Sequence, residues 1–160
     1  MSPGETRMIE GKHFQNAYVT RNIQRAIDDF KAKASIRKLL SFEVTTEVVT
    51  PTGPGTLTNK LAFVWVEDLQ YEFIEPVSGS LSLYRDALPP DESLSFHHAC
   101  MRVDDWTDFR ARVRQQSLPV VIEGGSEELR YLYLDARPLL GHYLEYVWMT
   151  PARWLQVGGR

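Results

Sequence analysis

Four side chains in this sequence could do chemistry together. Gln15 lies in HFQNAYVT and His98 in SFHHACMRV. Glu72 in LQYEFIEP and Glu145 in HYLEYVWM are each a carboxylate set among apolar neighbours. An ionised carboxylate flanked by Tyr71 and Phe73, or by Leu144 and Tyr146, loses its hydration on burial. It then needs a cation, a hydrogen-bond donor or a raised pKa. One imidazole, two carboxylates and one amide oxygen form an N/O donor set that suits a divalent ion such as Zn²⁺, Ni²⁺, Co²⁺, Mn²⁺ or Fe²⁺. Plainer readings exist for His98, as a satisfied core histidine, and for Glu72, as a residue facing solvent beside Gln70; the nearby Cys100 reads as a small buried hydrophobe.

Further polar residues border this set. His13 shares the Gln15 face of an ideal strand. His97 adjoins His98, and strict alternation points it to the opposite face as a structural residue or a donor behind the site. Arg137 and His142, in DARPLLGHYLEY, flank the last strand. Their plain role is loop packing; their functional role is to hold a carboxylate or phosphate at a pocket mouth.

The elements that must position these groups come in two similar runs. Residues 13–20 read as a strand. A helix follows, with Ile23, Ala26, Ile27 and Phe30 on one stripe and Asn22 at the N-cap. Leu40 to Val48 alternates as a half-buried strand, and the Thr50–Gly55 turn cluster ends it. Strands near Leu57–Glu67 and Leu69–Glu75 follow, with a tight turn at Asp68. Residues 76–94 form a Pro- and Ser-rich connector with a possible short helix at Leu81–Leu88. The order then repeats: strand 95–103, a helix capped by Asp104 or Asp105 and ending near Gln116, and strands near Leu118–Ile122, Leu129–Asp135 and His142–Met149.

One constant offset of 83 residues aligns the two runs. It carries Gln15 onto His98, Asn22 onto Asp105, Ala26 onto Phe109 and Phe30 onto Val113. Cap, core and polar strand positions coincide, as duplication requires. The expected fold is α+β: two paired βαβββ modules, about 12–76 and 94–149, joined by a connector at 77–93 within a single domain spanning 1–160. Each module then supplies one residue from its first strand and one from its fourth. That places Gln15, Glu72, His98 and Glu145 around a pseudo-twofold axis in a cleft.

Composition removes several alternatives. Lys and Arg total 18 against 21 Asp and Glu, so no excess positive charge exists to hold a nucleic-acid backbone. The longest apolar run, about Leu61 to Val66, falls far short of a membrane helix. Met1 to Lys12 is polar and does not read as a signal peptide. The single cysteine, Cys100, excludes an intrachain disulfide and a cysteine-rich zinc site, and the expected location is cytoplasmic. Gly124-Gly125 lacks a phosphate-loop pattern, and no GxSxG or HExxH occurs.

The segments QNAYVTRNIQRAI, LQYEFIEP, FHHACMRVDDW and GHYLEYV resemble the vicinal oxygen chelate superfamily, which includes glyoxalase I, methylmalonyl-CoA epimerase, extradiol dioxygenases and bleomycin-resistance proteins. The resemblance implies metal ligands at Gln15, Glu72, His98 and Glu145, a Gln/Glu/His/Glu set also found in some glyoxalase I enzymes. It also implies a metal-dependent lyase or isomerase that moves a proton next to the carbonyl of a small substrate, with Glu145 and Glu72 as the proton-carrying residues, and it implies a homodimer. The alternative is a non-catalytic binding protein of the bleomycin-resistance type. A ring-cleaving dioxygenase is disfavoured because Gln15 stands where its iron site needs a His. The first helix runs into Lys31-Ala32-Lys33-Ala34-Ser35 rather than the aromatic-Leu-Gly end usual in glyoxalase I, so the glutathione-gripping positions find no counterpart.

Overall fold

The computed structural model describes residues 7–160; the first six residues of the polar Met1–Lys12 stretch lie outside it. In the first half β1 (Lys12–Val19) and α1 (Ile23–Lys31) precede three long strands, β2 (Lys38–Thr50), β3 (Gly53–Val66) and β4 (Leu69–Gly79). The second half repeats the plan with β5 (Ser95–Arg102), α2 (Trp106–Val113), β6 (Val120–Gly125), β7 (Leu129–Leu134) and β8 (Tyr143–Met149). A short α3 (Arg137–Leu140) and a last helix α4 (Pro151–Gln156) complete it.

The boundaries of β1 map onto those of β5 at the offset of 83 read from the sequence. Both expected caps form. The Asn22 side chain accepts from the Arg25 N–H at 3.1 Å, and the Asp105 side chain accepts from the Asp108 N–H at 2.9 Å.

The eight strands close into one barrel in the order β1-β4-β3-β2-β6-β7-β8-β5. The two modules join most extensively through their first strands, which run antiparallel from the Lys12–Arg102 pair to the Val19–Ser95 pair. On the far side the closure is slight: β2 meets β6 at the single pair Val49–Glu123. Within each module the first strand lies parallel to the fourth, β1 beside β4 and β5 beside β8. This parallel pairing sets residues from strands one and four shoulder to shoulder.

Alternation then divides each fourth strand. Phe73 packs outward with Ile23, Ala26 and Ile27 of α1, while Glu72 points into the barrel. Leu144 and Tyr146 pack outward with Phe109 and Val113 of α2, while Glu145 points inward. The helices thus cover the outer face and the barrel interior holds the polar set.

Several expectations need correction. The helix read from 105 to 116 stops at Val113, and the helix expected over Leu81–Leu88 is a single 3-10 turn at Arg85–Ala87. The turn cluster after β2 is tighter than read, because β3 already begins at Gly53. α4 carries no apolar periodicity long enough to announce it. No helix among the described residues is long and apolar enough to cross a membrane.

Candidate metal centre

β1 and β5 are not ideal strands, and their irregularities shape the site. The register between them shifts twice, between His13 and Gln15 and between Ala17 and Tyr18. At the second shift Ala17 faces His98 and the next residue, Tyr18, already faces Phe96, so His97 is the extra residue of a bulge. This overturns the expectation that His97 points away from His98. Both rings lie in the interior, 2% and 0% exposed, with their Nδ1 atoms 2.8 Å apart. The first shift separates His13 from Gln15 in the same way. Gln15 is buried, whereas His13 stands on the surface with its Nε2 2.7 Å from the Asn16 side-chain oxygen.

Glu72, His98 and Glu145 come together, each offering a ligand atom within 4.8 Å of the others. His98 Nε2 lies 2.9 Å from Glu145 Oε2 and 3.7 Å from Glu72 Oε2. Gln15 belongs to the same cavity wall. Its backbone pairs with Cys100, which pairs in turn with Glu145, so the fourth residue is two strands from that carboxylate along one row.

Electrostatics tie the group together. Burial alone would lower the pKa of His98, but hydrogen bonds and charge from Glu145 and Glu72 outweigh it and raise the value to about 9. Burial raises the pKa of Glu72; His98 opposes this and the Glu145 charge adds to it. His97 is held neutral, its pKa pushed well below the usual histidine value by burial and then by His98.

A neutral His97 fixes the tautomers. Its Nε2–H faces the Leu83 carbonyl at 3.4 Å, which leaves its Nδ1 as the acceptor for the Nδ1–H of His98. His98 Nε2 is then the atom that presents either a proton or a lone pair to the two carboxylates. Tyr143 stacks on the His97 ring at 4.9 Å and Tyr84 tilts against it at 4.8 Å, so the supporting imidazole is locked in place.

These residues fit a divalent ion. Gln15 Nε2 donates to Gln70 Oε1 at 2.5 Å, but the buried Gln15 Oε1 has no donor. Such an orphan costs about 1–3 kcal/mol. A cation held by the three clustered ligand atoms would neutralise both carboxylates, and Gln15 in the same wall offers this free oxygen as a further ligand.

The sequence matches the family model for the Glyoxalase/Bleomycin resistance protein/Dioxygenase superfamily over residues 14–132. The chain belongs to that superfamily. Solved structures share its fold. Methylmalonyl-CoA epimerase from Mycobacterium tuberculosis superposes with a TM-score of 0.63 at 14% identity, covering 93% of this chain and 97% of that one. A Streptomyces coelicolor methylmalonyl-CoA epimerase variant in complex with 2-nitronate-propionyl-CoA gives 0.60 at 12% identity, covering 88% and 96%. A 4-hydroxymandelate synthase variant from Streptomyces coelicolor gives 0.51 at 14% identity, covering 86% of this chain and 48% of that one. No curated protein sequence matches the chain significantly.

In this superfamily member the cluster opens into a cavity of about 920 Å³. Leu40, Leu61 and Phe63 give it apolar walls, and Tyr84 and Tyr133 stand near the carboxylates. The two tyrosine hydroxyls are 2.7 Å apart, and the Tyr133 hydroxyl lies 3.5 Å from His98 Nε2. Burial raises the pKa of both phenols, so they remain protonated donors. Sequence reasoning passed over this pair. Tyr84 sits in the connector and Tyr133 on a strand whose register was unknown, so only the folded chain brings them together.

Two other candidates lie outside the cavity wall. The exposed Arg137 forks onto Asp135 at 2.9 Å through each of two nitrogens and covers the Tyr143 ring. His142 meets the Tyr143 carbonyl through Nδ1 at 2.7 Å and packs edge-on against Phe96.

Proposed function

We propose that this chain is a metal-dependent isomerase or lyase of the epimerase type, moving a proton on the carbon next to a carbonyl in a small substrate. One observation carries the reading: two carboxylates at equivalent positions of the duplicated modules flank one imidazole at the head of an apolar cavity. A metal-free binding pocket has no use for two desolvated glutamates converging on one site.

In this reading Gln15, Glu72, His98 and Glu145 would hold the ion, whose positive charge beside the substrate's carbonyl oxygen would acidify the neighbouring C–H. Glu72 would take that proton and Glu145 return one, each carboxylate leaving the ion as it does so, through oxygens that lie 3.7 and 2.9 Å from His98 Nε2. Transfer between opposite faces of one carbon is what an epimerase needs. The Tyr84–Tyr133 pair donates toward the developing negative charge, and the Leu40, Leu61 and Phe63 walls exclude water. The epimerase fold neighbours make 2-substituted acyl-CoA thioesters the first substrates to try.

The test is solvent deuterium uptake, followed by proton NMR, into methylmalonyl-CoA and into a panel of hemithioacetals with metal-loaded protein. Exchange at the carbon next to the carbonyl, reduced at least ~10²-fold in Glu72→Gln or Glu145→Gln, is the expected result. If no panel member exchanges while the protein still binds a panel member stoichiometrically, the binding-protein alternative is correct.

A further inference from the structure

Arg153 differs from Arg110 and Arg137 in how it meets its carboxylate neighbour. Arg110 places Nε and Nη2 on Glu123 at 2.8 and 3.0 Å, and Arg137 places the same edge on Asp135. That edge offers two parallel N–H groups at the spacing of a carboxylate. In Arg153 Nε is buried with no hydrogen-bond partner, so a ligand reaches it only after the side chain shifts. Nη1 is engaged with the neutral Gln156 Oε1 at 3.2 Å and, more loosely, Glu128 at 3.9 Å.

The position of the side chain is what matters. Arg153 lines the same cavity as Gln15, Glu72 and Glu145, and it is the one Lys or Arg among the described residues of that wall. It is also held firmly. On α4 the neighbouring Trp154 packs edge-on against Phe14 at 5.1 Å and Trp65 at 5.8 Å, with Arg102 over its ring at 4.1 Å. The chain after α4 is fastened as well: Trp65 Nε1 donates to the Val157 carbonyl at 2.7 Å and Arg37 to the Gly158 carbonyl at 2.8 Å. Gly158 has φ +103, and a Cβ there would meet Trp65 Nε1 at 2.5 Å, so this close approach requires glycine.

We propose that Arg153 anchors a substrate carboxylate, so that the substrate is a carbonyl compound with an apolar body and a carboxylate. The inference rests on reading the cavity as a substrate site and adds the substrate's charge class. Arg153 is the one guanidinium of a wall that also holds Glu47 and, at the candidate metal centre, Glu72 and Glu145. A single guanidinium can pair with a monoanion but leaves a phosphate dianion under-neutralised.

The test uses the full chain, metal-loaded and chelator-treated, in calorimetric titrations with two matched pairs: hexanoate against hexanamide and 4-phenylbutyrate against 4-phenylbutyramide. Wild type should bind a carboxylate at least tenfold more tightly than its amide in both metal states. Arg153→Gln should reduce that preference below twofold while keeping wild-type metal stoichiometry, and Arg153→Lys should restore part of it. The inference is overturned if no carboxylate is preferred by wild type, if the preference survives in Arg153→Gln, or if hexyl phosphate binds more tightly than hexanoate. Should Arg153→Gln fail to fold, undiminished preference in Arg153→Lys overturns it equally, because a lysine cannot reproduce the fork. A wild type that takes up no metal would sink the proposed function, whereas the chelator-treated titrations would still decide the role of Arg153.

Discussion

A proton and a divalent ion compete for one atom, His98 Nε2. The metal-free site holds the proton tightly, with the pKa raised from 6.5 to about 9, so metal binding below about pH 9 must displace it. Apparent metal affinity should therefore rise about tenfold per pH unit between pH 6 and 8, as a zinc titration with a competing chelator would show. The same shift bears on stability. The folded state binds this proton more tightly than the unfolded chain, so its stabilisation is complete below pH 6.5 and disappears as pH rises through about 9. Raised Glu72 acts in the same direction. Metal-free protein should lose melting temperature over pH 6.5–9, and a curve rising over that window would contradict the coupling. His97 tests the arrangement from behind: His97→Phe keeps the stacking on Tyr143 but removes the Nδ1 acceptor, and should weaken metal binding about 10–100-fold. Much of this was readable in the residues. Glu72 and Glu145 declared themselves as carboxylates among aromatic and aliphatic neighbours. His97 did not, because a bulge inverts the facing that strict alternation assigns, and bulges leave no mark in a single sequence.

At the level of elements, the duplicated strand–helix openings do most of the positioning. β1 and α1 were legible because their caps, core stripe and polar strand position recur at one offset in β5 and α2. α4 was not legible, since six residues cannot show a helical period and its reason for existing is tertiary. Trp154 is that reason. Trp154→Ala should cost about 2–3 kcal/mol in chemical denaturation, below the ~3–5 of a fully buried aromatic because this side chain is half-buried. A variant as stable as wild type would mean that α4 is only loosely attached, which would also weaken the case for a fixed Arg153.

For the whole molecule, the barrel is nearly symmetric in plan but uneven in closure: the modules pair along all of β1 and β5, whereas β2 and β6 share a single ladder pair. Phe42 on β2 lines the cavity and is 44% exposed. We also propose a homodimer. Trp154 is engaged inside the chain, whereas Leu139 and Leu140 on α3 are exposed. Sedimentation at micromolar concentration should show twice the 18.4 kDa chain mass, and an 18.4 kDa species alone would refute the dimer.

The central claim is that one divalent ion sits where the modules meet, held by four side chains. The most direct measurement is an anomalous-scattering map from crystals grown with zinc. The expected result is one peak per chain, about 2.0–2.2 Å from Glu72, His98 and Glu145 oxygen or nitrogen atoms and from Gln15 Oε1. A map with no peak among these residues, from protein that saturates with zinc elsewhere or not at all, would contradict the account.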